Sequence, residues 1–125
     1  MKGCLSVGVP IAILAATGVY SAFPHPAYDD TTLEAVATES RKLIAAYRAN
    51  GAEHYANLTR DKWPPTISRL EPQRVTVTLK TVDIITKPYF DGGWGYGFAL
   101  DKRDLGMLPE CWDELGHDVY WHGPC

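Results

Sequence analysis

The sequence predicts an α+β protein: an N-terminal hydrophobic helix, then one amphipathic helix packed on a small antiparallel sheet of three to four strands. Three observations predict it. Residues Leu5 to Phe23 carry no charge. Between Leu33 and Tyr47, apolar residues recur at steps of three and four, the spacing of one helix face. From Arg74 onward the pattern turns to alternation, the period of a strand.

The first run, "LSVGVPIAILAATGVYSAF", is about 19 residues long, enough to cross a bilayer as a helix. Lys2 precedes it, and Asp29 and Asp30 follow it. Positive charge stays on the cytoplasmic side, so the N-terminus is expected in the cytoplasm and the body outside it, periplasmic or extracellular. The run reads either as an uncleaved signal-anchor, which makes the membrane a partner, or as a signal peptide cleaved after Val19-Tyr20-Ser21. Residues 1–23 are therefore anchor or signal. Residues 24–30, with Pro24 and Pro26, form a linker, and residues 31–125 form a small extracytoplasmic domain.

Leu33, Val36, Ala37, Ser40, Leu43, Ile44 and Tyr47 form one stripe, which predicts a helix from Thr32 to Ala49. Thr31 and Glu34 have capping-box spacing, and Asn50-Gly51 supplies the stop. Residues 52–72 are less regular: Tyr55 and Leu58 extend a short helix, and Pro64-Pro65 starts another turn at Thr66 to Leu70. Strands follow at Arg74–Leu79, Val82–Lys87, Trp94–Leu100 and Asp118–His122. The first of these points Val75, Val77 and Leu79 inward, and Lys80-Thr81 makes the hairpin turn.

The stretch "GGWGYGFAL" is read as a strand. A phosphate loop needs its glycines between a strand and a helix, and no helical period follows here. Alternation sends Trp94, Tyr96, Phe98 and Leu100 toward the amphipathic helix. Gly93, Gly95 and Gly97 leave the opposite face bare. Either another element covers them, or they form a binding surface.

The C-terminal segment spaces Cys111, His117, His122 and Cys125 as C-x5-H-x4-H-x2-C. Two cysteines in an exported domain are expected to pair, giving a Cys111–Cys125 disulfide. The alternatives are free thiols, or a metal site of His117, His122, Cys111 and Cys125, although the spacing matches no standard zinc module. His117 beside Asp118, and His122 near Asp113 or Glu114, are the acid–base pairs that catalysis would use. No serine or cysteine lies in a nucleophile-elbow context, so no catalytic residue and no cofactor are assigned. The net charge of -3, without a basic stripe, argues against nucleic acid as a partner.

"WPPTISRLEPQRVTV" followed by "GGWGYGF" resembles small bacterial proteins that carry an N-terminal hydrophobic segment and no assigned activity. The resemblance spans roughly residues 33–100 and implies a cell-envelope location. The order of elements is also similar to type IV pilins. However, the Gly-Phe cleavage junction and the glutamate after it are missing, and "PHP" interrupts the helix. The expected function is a non-catalytic, membrane-anchored or exported envelope domain acting through protein or surface contacts. The alternative is a small metal-binding protein or enzyme using the C-terminal His/Asp/Cys cluster.

Overall fold

A computed structural model describes residues 28–51, 54–90 and 92–125. The hydrophobic helix expected at residues 5–23 lies outside them. Among the described residues, no helix is long and apolar enough to cross a membrane.

In chain order the elements are α1 (Asp30–Ala49), β1 (Tyr55–Asn57), α2 (Pro65–Arg69), β2 (Arg74–Thr78), β3 (Thr81–Tyr89), β4 (Gly92–Ala99), β5 (Trp112–Gly116) and β6 (Val119–His122). The described strands form one six-stranded antiparallel sheet in the order β1-β2-β3-β4-β6-β5. The α+β class with a main helix on an antiparallel sheet is as expected; the strand count is larger.

Helix α1 starts two residues earlier than predicted. Asp29, not Thr31, is the N-cap, and its carboxylate accepts a hydrogen bond from the Thr32 amide at 2.7 Å. That bond also holds the Asp29 carboxyl below its usual value. At the other end Gly51 takes a left-handed φ of 63° and stops the helix. The stripe is buried at Leu33, Val36, Ala37, Ser40 and Ile44. It packs on Val75, Val77, Val82, Ile84, Tyr96, Phe98 and Val119, with Ile67 from α2 closing the side. Glu39 joins the two helices: its carboxylate accepts from the Thr66 and Ile67 amides at 2.8 and 2.9 Å. Those amides are first-turn donors of α2 that have no partner within their own helix.

The helix lies obliquely on the sheet. Near its start Asp30 meets His117 in the β5–β6 turn. Near its end Arg48 donates to the Leu79 carbonyl in the β2–β3 turn at 2.7 Å. The obliquity corrects the expected placement of two aromatic-strand residues. Tyr96 and Phe98 reach the helix-side core, but Trp94 lies outside it and stacks edge-on with Tyr89 at 5.6 Å. Leu100 follows the end of β4 and is 71% exposed. Leu79, expected inward, sits in the two-residue turn and is exposed. Tyr55 belongs to strand β1 rather than to a helix. Tyr28 packs edge-on against Tyr96, and burial together with Tyr28 pushes the Tyr96 phenol well above its ordinary value.

Two strands were not anticipated. Strand β1 has three residues, too few for a period to show. Strand β5 is joined to β6 by His117 and Asp118, both left-handed at φ 54° and 64°. That is the backbone of a two-residue primed turn, made here without the Asn-Gly or Asp-Gly pair that signals it in sequence.

Candidate functional site

The chain leaves β4 inside the sheet and enters β5 at its edge, with β6 filling the place between. The connection, residues 100–111, must therefore cross a face of the sheet, and the helix occupies the other one. It crosses over Gly97. A Cβ on Gly97 would lie 2.6 Å from the Trp112 ring and 2.9 Å from Leu105. Trp112 and Leu105 are buried there with Ala99 and Tyr120 in a second, smaller apolar cluster. The Trp112 indole donates to the Gly106 carbonyl at 2.6 Å and fixes the crossing strap. Within the strap Arg103 donates to Asp101 at 2.7 Å, which holds that carboxyl at about 2.

Gly93 and Gly95 are required for a different reason. A Cβ at either would run into the β3 backbone, at the Lys87 and Ile84 carbonyls respectively. Strand β3 bulges between Ile85 and Lys87, which brings its main chain toward β4 at this point.

Strand pairing sets out this face row by row. One row runs Arg74, Ile85, Gly95, His122, Trp112. The next runs Thr76, Asp83, Gly97, Tyr120, Glu114. Asp83 and His122 thus stand two strands across and one row along from each other, about 12 Å at the backbone. Only glycine stands between them on β4, so their side chains meet above it. The His122 Nε2 lies 3.6 Å from the Asp83 Oδ1, too far for a hydrogen bond. Both atoms are buried and without a hydrogen-bond partner.

His122 is 3% exposed and is held by the Trp112 ring, whose centroid is 4.4 Å away. Its Nδ1 faces the Gly123 carbonyl at 3.3 Å. A carbonyl can only accept, so Nδ1 is the donor, and in the neutral ring Nε2 is left as an acceptor. Asp83 Oδ1 is also an acceptor when ionised. With that neutral ring, two lone-pair atoms face each other with nothing donating to either.

Asp83 and His122 both line a cleft of about 420 Å³ on this face. Its β2–β3 wall is polar, with Arg74, Thr76, Thr78, Thr81 and Asp83; its strap wall sets Leu105 and Met107 beside Asp104. The threonine hydroxyls are already engaged. Thr76 donates to Asn57 at 2.7 Å, and Thr78 and Thr81 share a bond of 2.7 Å. Among the described residues, the Arg74 guanidinium has no partner.

The residues singled out in sequence are only partly gathered here. Cys111 and Cys125 stand at disulfide-bonding distance with their Cα atoms 6.0 Å apart, which ties the last residue to the foot of β5. The metal alternative does not assemble. His117 turns to the helix side, where its Nε2 meets Asp30 at 2.7 Å, while His122 is on the opposite face and the two cysteines occupy each other. Among the described residues, no three His, Cys, Asp or Glu side chains converge in a way that could hold a metal. The expected acid–base pairing is corrected as well: the carboxylate facing His122 is Asp83 of β3, not Asp113 or Glu114. Asp118 instead pairs with Arg41 at 3.3 Å.

A separate feature lies at the tip of the β3–β4 hairpin. Phe90 is 91% exposed at a left-handed φ of 48°, a costly conformation for an aromatic residue. Tyr89, Met107 and Leu108 are exposed too. Tyr89 and Met107 share a shallow hollow with Phe90 and the Cys125 end.

No protein-family model, no curated protein and no solved structure matches this chain. The resemblance carried by the two short motifs finds no counterpart in these comparisons.

Proposed function

We propose that the chain is a non-catalytic binding domain of the cell envelope whose recognition surface is the open sheet face, where a small polar molecule enters the Asp83–His122 cleft. One observation carries this: two buried acceptors face each other unpaired at the cleft floor. Burying polar atoms without partners costs free energy, and an incoming donor recovers it. Binding rather than bond-breaking is favoured because the cleft's threonine hydroxyls are committed to one another and to Asn57. The envelope location is supported by the uncharged run Leu5–Phe23 and by the paired cysteines.

The test is a titration of the chain with small polar metabolites, followed by backbone amide NMR. Shifts gathered at Ile85, Gly95 and His122 support the cleft. Saturating mixtures that leave these amides unmoved overturn it.

A second reading keeps the contact surface at the hairpin tip, because Phe90 holds an exposed and strained position there. It predicts that Phe90→Asp abolishes a protein or surface contact while metabolite binding in the cleft is unchanged. A Phe90→Asp protein that keeps every contact made by the native chain removes this reading.

A further inference from the structure

The geometry points to a small zwitterion, a free amino acid, as the ligand class of this cleft. The inference rests on the cleft being the binding site. The two acceptors are 3.6 Å apart. A single nitrogen about 2.8–2.9 Å from each can sit above both and donate to both. A primary ammonium supplies more than one N–H and a positive charge to set against Asp83. A hydroxyl supplies only one donor and leaves the other acceptor unpaired.

The opposite charge has a place on the same wall. Arg74 lies in the same cross-strand row as His122 and two positions along the sheet face from Asp83 by pairing, since Arg74 pairs with Ile85 and Thr76 with Asp83. Such diagonal neighbours on paired strands are about 7–8 Å apart. An arginine side chain spans that gap, and its fork matches a carboxylate. The guanidinium is unpaired among the described residues. An ammonium above Asp83 and His122, with a carboxylate a few bonds away toward Arg74, therefore satisfies three groups that the domain leaves open. The side chain of such a ligand would lie against Leu105 and Met107 on the strap wall. Leu105 and Met107 favour an aliphatic over an acidic amino acid side chain there.

The experiment uses the full chain, purified without reductant. L-amino acids are screened one by one by calorimetric titration. The tightest is then compared with its decarboxylated amine and its deaminated acid. The expected result is at least about a tenfold loss of affinity for each truncated compound, the scale of one charge-assisted bond. Arg74→Gln should reduce the amino acid to the affinity of the amine and leave amine binding unchanged. Asp83→Asn should remove binding of both. An amine or acid that binds as tightly as the amino acid overturns the zwitterion assignment while leaving the cleft as a binding site. Binding by the native chain that survives both substitutions shows that the site lies elsewhere and overturns both. If no amino acid binds but other polar metabolites shift the cleft amides, the ligand class alone is overturned.

Discussion

On the helix side of the sheet, Val75, Val77, Val82, Ile84, Tyr96, Phe98 and Val119 meet Leu33, Val36, Ala37 and Ile44. On the other side the same strands present Thr76, Asp83, Gly95, Gly97 and His122, and only Trp112, Leu105, Ala99 and Tyr120 form an apolar cluster. The first face gains its stability from apolar area removed from water. The second is closed in part by a strap and open beside it, and its floor holds polar atoms without hydrogen-bond partners. A face that served only stability would be expected to pair those atoms or replace them. The difference teaches that the helix face makes the domain, while the open face keeps polar atoms that the fold itself does not pair.

The largest effect that separates the faces is in the helix-side core. Phe98→Ala should destabilise by about 3–5 kcal/mol in urea denaturation. The ring is buried and also carries Arg41 at 5.2 Å. A loss well under that range would mean the helix does not seat on β4 as described. Next is the strap. Reducing Cys111–Cys125, which closes a separation of 14 residues, should cost about 3 kcal/mol in the chain-entropy model and lower the melting temperature. An unchanged melt on reduction would mean that the strap and tail are held by packing alone.

Gly97→Val tests whether the open face is truly covered at Trp112. The added side chain enters occupied space, so a cost of about 1–3 kcal/mol is expected. Gly92→Ala is the control: a Cβ there meets nothing within 4 Å, and its stability should be native. Equal effects at the two positions would erase the claim of coverage. The smallest effect is on the helix side, where the Ser40 hydroxyl is buried without a partner. Ser40→Ala removes that hydroxyl and favours the helix, so stability should rise by roughly 0.5–1 kcal/mol. A fall would indicate a hydrogen bond that the structure does not contain.

The helix face was legible in sequence because its signals are local and repeated. The stripe from Leu33 to Tyr47 and the alternation at Val75, Val77, Val82 and Ile84 each state their own partner surface. Its errors are Leu79 and Leu100, which keep the strand parity but fall just beyond the strand ends, and Trp94, which lies within β4 but outside the core. The open face was less legible because long-range topology makes it. The glycines announced a bare surface, but whether it would be covered depended on β6 inserting between β4 and β5, which forces the strap across. Strand β5 escaped notice since its acidic residues hid the alternation and its turn uses His117 and Asp118. His122 was a candidate from its place in the C-terminal cluster. Its partner Asp83 had no sequence signal, since nothing near it repeats or matches a motif and only the pairing of β3, β4 and β6 brings the two together.

The most direct measurement of the account is the urea midpoint of Asp83→Asn without ligand. Asparagine supplies an N–H to the His122 Nε2 where aspartate supplies only acceptors. The unliganded domain should therefore become more stable, by about 0.5–1.5 kcal/mol, the net value of one hydrogen bond. A gain in stability together with lost amino-acid binding is the signature of a floor kept open for a ligand. A midpoint lowered by about 1 kcal/mol or more would show instead that Asp83 and a charged His122 hold the sheet together as an ion pair, and that the open face is structural.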